Sequence, residues 1–324
     1  MKSKKVANFR ISLVMILIIL SLFSIHIGIE EFSLIGLFNN EEKQVDLFLL
    51  SRFPRLLSVI ITGVSLSIAG LIMQTISANK FVSPTTAGTL DWARLGILLS
   101  FFIVGAATSF IRVIFSFGIA MLGTGIFMII LTKTKFRNSA IVPLIGLMLG
   151  NVVTSITTFI AYRFDLIQNM SSWLMGSFTL VTKGNYELLY LGIPFMILAI
   201  IYASKFTIAS MGQEIATGLG LNHKLIMIIG LIIVAIITAI VVVTVGTIPF
   251  VGLIVPNIVS LYRGDNVKST IIETGLIGAI LLLIGDIISR VLIFPYQISI
   301  SVVMSVMGSL IFLFIMFRKK SRVQ

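Results

Sequence analysis

A chain of 324 residues that is 57% hydrophobic and only 11% charged, with a mean hydropathy of +1.12, is not built to face water on all sides. A soluble domain carries about a quarter of its residues as charges, and the deficit here points to solvation by lipid. The formal net charge of +12 lies on no soluble basic domain, which excludes nucleic-acid binding, and the lack of cysteine excludes disulfides, thiolate metal sites and thiol chemistry. His26 and His223 are far apart and make no ligand cluster, and no phosphate loop ending in Gly-Lys-Ser/Thr is present, so the chain is expected not to bind ATP itself.

Lys2, Lys4, Lys5 and Arg10 precede an apolar run from Ile11 to Ile29. The run is too long for a signal peptide and no small-x-small cleavage site follows it, so an uncleaved first span is predicted. Glu30 to Asp46 is polar and acidic. Further spans are predicted at 53–78, 88–105, 112–132, 140–162, 187–204, 224–246, 248–262, 270–292 and 300–317. Their apolar runs are continuous rather than alternating, which selects helices over barrel strands. The eighth is short and carries Pro249, Gly252 and Pro256, so it either crosses or re-enters. If all ten cross and the N-terminus is inside, sixteen basic residues lie inside against seven outside, with Arg94 within a span. Both tails are basic, which favours an even number of crossings, and the eighth segment is therefore expected to cross. The predicted fold is an all-α integral membrane protein of about ten transmembrane helices, one domain over 1–324, with both termini cytoplasmic.

Several spans carry small and hydroxylated residues at helical spacing. Ser58, Thr62, Ser65 and Ala69 share a face of the second; Gly146 and Gly150 form a G-x-x-x-G in the fifth, beside Asn151, Thr154 and Thr158; Ser301, Ser305, Gly308 and Ser309 do the same in the tenth. Such faces serve close helix packing more often than a polar translocation surface. Asp91 and Arg94, three apart near the inner end of the third span, are ionisable groups within a span, where a functional role stands against a plain interfacial ion pair. Between the sixth and seventh spans, Lys205 to Lys224 is too polar to cross. Ser210 with Gln213 three residues on has the capping-box pattern, Gly218 and Gly220 are placed to end a short helix, and Asn222 to cap the next.

Three segments, in order along essentially the whole chain, resemble the ten-helix permeases of the iron-siderophore and vitamin B12 ATP-binding-cassette importers. Ser51-Arg52-Phe53-Pro54-Arg55-Leu56-Leu57, running on to Asn79 and Ser83-Pro84, is similar to the family's R-x-P-R segment and the turn after its second helix. Met211-Gly212-Gln213-Glu214-Ile215-Ala216 through Gly220-Leu221-Asn222 resembles its cytoplasmic G-E-E-x-A segment. Gly246-Thr247-Ile248-Pro249-Phe250-Val251-Gly252-Leu253-Ile254-Val255-Pro256 resembles G-x-I-x-F-V-G-L-I-V-P-H, and Gly285-Asp286 through Arg290 matches the end of the ninth helix. Asn257 stands where the family has His, and Gly308-Ser309-Leu310-Ile311-Phe312 lacks the Pro and one Phe of its tenth helix. Residues 81–94 resemble a branch associated with catecholate siderophores.

The resemblance implies a vitamin B12 importer permease-like fold and one half of a permease dimer, homodimeric or paired with a related chain. It implies two ATPase subunits that bind ATP and magnesium, an extracytoplasmic substrate-binding lipoprotein, and a ferric siderophore carried by alternating access across the bacterial cytoplasmic membrane. This chain would hold no cofactor or metal. Arg52, Arg55 and Arg290 are implied to dock the binding protein; Gly212, Glu214, Ala216 and Gly220 to couple to the ATPase; Asn138, Ser139, Asn151, Thr154, Thr158, Ser301 and Ser305 to line or gate the path. A mildly polar lining suits a large chelate that passes intact. Vitamin B12 or heme is the alternative cargo. An ion-coupled secondary transporter predicts a carboxylate near the bilayer midplane, whereas Asp286 is expected nearer the outer end and Glu273 nearer the inner end. A receptor would need a signalling domain, and none is read in the sequence.

Overall fold

The computed structural model describes residues 2–320 except 29, 31, 40, 106–107, 135–140, 169–174, 180 and 185. Long apolar runs must pair their backbone groups within the segment, and they do so as ten helices among the described residues. These are α1 (Lys2–His26), α2 (Phe53–Ile76), α3 (Thr89–Val104), α4 (Ser109–Thr134), α5 (Ile141–Arg163), α6 (Gly192–Ala209), α7 (His223–Val245), α8 (Val251–Arg263), α9 (Val267–Val291) and α10 (Ile300–Lys320). Eight helical stretches, those containing all but α3 and α8, are long and apolar enough to cross a membrane. Every predicted span falls on one of the ten, and the ends differ by three residues or fewer except at α6, which is shifted by five, and at α1, which starts within the basic N-terminal segment.

The core is built around α2, which packs against α6, α7, α8 and α9 and is largely buried. The stripe Ser58, Thr62, Ser65 and Ala69 is wholly inside, so on α2 the small residues serve packing. A Cβ at Gly70 would lie 1.9 Å from the carbonyl oxygen of Gly252, so α2 and α8 touch backbone to backbone. Gly70→Ala is expected to force them apart, at a cost of about 1–3 kcal/mol or more. The measurement is the thermal unfolding midpoint of the purified chain in detergent. It should fall for Gly70→Ala and hold for Gly218→Ala, where no atom lies within 4 Å of the added Cβ.

Two of the helices are short for a reason. α3 has 16 residues, and the turn before it climbs into the bundle: a Cβ at Gly146, in α5, would lie 2.2 Å from the carbonyl of Thr86. The G-x-x-x-G of α5 thus receives a turn rather than a helix. α8 has 13 residues, about 20 Å, against a hydrocarbon core of about 30 Å. The remainder is extended chain. Thr247 sits beside Ser301 in the first turn of α10, whereas Phe250 packs on Gly308, seven residues or about 10 Å further along. Extended backbone at that depth needs partners. Thr247 bridges to Met175, Ser177 N–H donates to Val245 O at 2.9 Å, and Ser301 Oγ donates to Thr247 O.

Candidate functional site

Each end of the bundle carries a buried carboxylate between two arginines. At one end Glu273 accepts from Arg10 Nε at 3.0 Å and Arg263 Nε at 3.3 Å, tying α1, α8 and α9. At the other, Asp286 Oδ1 accepts from Arg55 Nη2 at 2.9 Å, and Oδ2 lies 2.7 Å from Arg290 Nη2, an ion contact off the hydrogen-bond axis. Neither carboxylate is central, as the sequence leads one to expect.

The three arginines expected to dock a partner are turned inward here. Arg52 donates to the carbonyls of Ile27 and Glu30; Arg290 donates to those of Ser24 and Ile27, at 2.9 and 2.8 Å, and to Ser24 Oγ. Arg55 adds Gln297 Oε1 at 2.9 Å. Arg52 and Arg290 are buried, and they pin the end of α1 to α2 and α9. The inward turn has a simple cause: a helix end leaves unpaired carbonyls, and guanidinium donors satisfy them. The pattern R-x-P-R shows charge but not the direction in which it is used.

At the Glu273 end, the segment between α6 and α7 forms a short helix, Gln213–Gly218. Gly212 enters it at φ +106 and Gly220 leaves it at φ +78, so these two glycines set the chain path. Ser210 does not cap it; its Oγ donates to Thr207 O at 2.7 Å, closing the end of α6 instead. Asn222 caps α7 as expected, accepting from Leu225 N–H at 3.1 Å. Glu214 is exposed, but Ala216 is fully buried and faces the bundle. What stands out beside Glu214 is apolar: Met211, Ile215 and Leu219, spaced four apart, are each more than half exposed. Sequence reading passed over them because Ile and Leu are unremarkable in so apolar a chain; their position in a polar connector was the available signal.

Nearby, Asn257 Nδ2 donates to Lys80 O at 2.8 Å and Leu253 O at 2.7 Å, tying the turn after α2 to α8. That is what the asparagine does in place of the family's histidine.

The residues expected to line a path divide. Asn138 and Ser139 lie outside the described residues. Asn151 and Thr158 are exposed on α5, on a face shared with Met148, Ser155 and Tyr162. Thr154, Ser301 and Ser305 are partly exposed, and they belong to a polar network. Thr154 Oγ1 donates to Asp91 Oδ1 at 3.1 Å, Arg94 Nη2 donates to Thr247 Oγ1 at 2.8 Å, and Ser301 joins Thr247 to the Gly176 N–H at 2.8 Å. Ser305 bonds back to Ser301 O at 2.7 Å. Thr154 is the fourteenth residue of the 23-residue α5, so Asp91 stands near mid-depth and not at an interface. The re-entering turn before α3 carries it there. Between α5 and α10 an apolar groove opens, walled by Pro143, Leu147, Phe312 and Met316 and floored by Phe81 and Phe250.

Comparison with known proteins gives one consistent answer. Residues 12–318 match the model of the FecCD transport family. The petrobactin import system permease protein YclN of Bacillus subtilis (strain 168) is 54% identical over 95% of this chain and 98% of its own. The ferric-anguibactin transport system permease protein FatD of Vibrio anguillarum is 41% identical over 87% of this chain and 90% of its own. A solved structure of a metal-chelate type ABC transporter in an inward-facing conformation superposes with a TM-score of 0.83 at 20% identity, covering 96% of this chain and 99% of that one, a likeness of fold.

Proposed function

The chain belongs to the FecCD transport family, and on that premise we propose that it is the membrane permease of an ATP-binding-cassette importer for a ferric siderophore of the petrobactin type. It is a multi-pass membrane protein and a transporter subunit rather than an enzyme. The observation that carries the cargo is the 54% identity to the petrobactin permease over nearly the full length of both chains.

The Glu273 end is cytoplasmic, in accord with the sixteen basic residues counted to that side. There, Glu214 with the exposed Met211, Ile215 and Leu219 offers an ATPase subunit an apolar patch edged by one charge. Two such subunits bind ATP and magnesium and drive a permease dimer between its two faces. The exposed faces of α5 and α10, with Asn151, Thr154, Thr158, Ser301 and Ser305, meet the second permease chain and enclose the path. The binding protein docks at the Asp286 end of the bundle, where Arg55 retains slight exposure while Arg52 and Arg290 act as the framework beneath. The membrane is the bacterial cytoplasmic membrane.

The test is reconstitution. Proteoliposomes holding this chain with its ATPase, loaded with ATP and supplied with binding protein, are expected to accumulate ferric petrobactin and to stop when ATP is withdrawn. Uptake by this chain without the ATPase, or uptake abolished by a protonophore while ATP is maintained, would overturn the proposal.

A further inference from the structure

We infer that Asp91 and Arg94 form a contact site for the anionic oxygens of the passing chelate, set in the wall of the translocation face. The inference rests on the importer reading above and adds to it a residue that selects cargo.

The ion pairs at the two ends of the bundle are structural by every sign. Glu273 and Asp286 have fully or almost fully buried side chains and join helices distant in sequence. The Asp91–Arg94 pair differs in each respect. Its partners are three residues apart on one helix, 3.4 Å from each other, so it joins nothing by itself. Both remain open, with side chains 22% and 28% exposed within the bundle, where an ionisable group is costly unless it faces protein or water. The four elements that meet there are α3, α5, the extended link before α8 and the start of α10, through Thr154, Thr247 and Ser301.

The donor count points the same way. A guanidinium offers five N–H groups. Arg94 commits one to Asp91 and one to Thr247 Oγ1, while its Nε is buried without a hydrogen-bond partner. Two terminal N–H groups are left over, on a side chain that is 28% exposed. Ferric chelates present oxygen ligands that carry negative charge, and a planar guanidinium suits them. Asp91 keeps the site neutral overall, and Thr247 fixes the fork. A compensated pair attracts an oxygen weakly enough for the cargo to leave, which transport requires.

The test uses the complete transporter in proteoliposomes, with ferric petrobactin as the probe. Arg94→Met is expected to lower uptake at least tenfold, with assembly and binding-protein-stimulated ATP hydrolysis within twofold of the parent. Arg94→Lys should keep an intermediate rate. Asp91→Asn, which preserves shape, should lower both KM and maximal rate at least threefold, because an uncompensated arginine holds the chelate longer. Parental uptake by Arg94→Met, or unchanged KM and rate in Asp91→Asn, overturns the inference. So does loss of assembly in Arg94→Met and Arg94→Lys alike, which would make the arginine a strut. Failure of the parent complex to carry ferric petrobactin at all would instead sink the importer reading.

Discussion

Asp286→Ala is expected to be among the most destabilising single substitutions in this chain. The carboxylate is buried between Arg55 and Arg290, and removing it leaves two guanidinium groups facing each other without a counter-charge. Breaking a buried pair by deleting one partner costs about 3–5 kcal/mol. The damage should spread along a defined route. Arg290 holds the carbonyls of Ser24 and Ile27, so α1 should loosen from α9 and become open to proteolysis near His26. The readouts are the thermal midpoint in detergent and the rate of cleavage near that point. Adding Arg55→Met and Arg290→Met to Asp286→Leu should recover much of the loss in midpoint, because the orphaned charges go with the acid. The opposite pattern would give the cluster a direct docking role in place of a structural one: an Asp286→Ala protein as stable as the parent that no longer binds its extracytoplasmic partner.

This cluster also shows what could be read from sequence and what could not. The spans were legible because apolar runs of about 20 residues leave the backbone no other way to pair its groups. Ser299–Ser301 and Thr247 look like ordinary span ends; only their juxtaposition shows that α8 begins as extended chain held by Ser301 and Met175. The depth of Asp91 was hidden for a related reason. Position within a helix gives depth only if the helix starts at the membrane surface, and α3 starts where Gly146 and Gly150 receive its leading turn. Motif matching found Arg52, Arg55 and Arg290 as a set but not their direction, since a guanidinium that caps a helix end and one that meets a partner are written with the same letter. Ala216 is written with the same ambiguity: a small residue in a coupling motif suggests close approach to a partner, and within this chain it packs against the chain's own bundle.

Placing Ala216 inside moves the expected weight of ATPase coupling onto Ile215 and Leu219. Both are more than half exposed in a polar connector, and neither supports the fold, so Ile215→Arg should leave stability within about 0.5 kcal/mol of the parent. At an interface the same change does far more. An apolar anchor that loses its pocket costs about 2 kcal/mol or more, close to thirtyfold in affinity, and a buried unpaired arginine adds to that. Ile215→Arg is therefore expected to fold and insert normally, to lose co-purification with the ATPase, and to bring uptake to background. Glu214→Arg should show a milder, salt-dependent defect, because an edge charge mainly guides encounter and orientation. Ala216→Leu should separate from both: its side chain would enter a filled space, so the thermal midpoint falls before coupling does. If Ile215→Arg keeps the ATPase bound and uptake intact, the partner seats elsewhere, and the exposed apolar row on this connector is not its landing site.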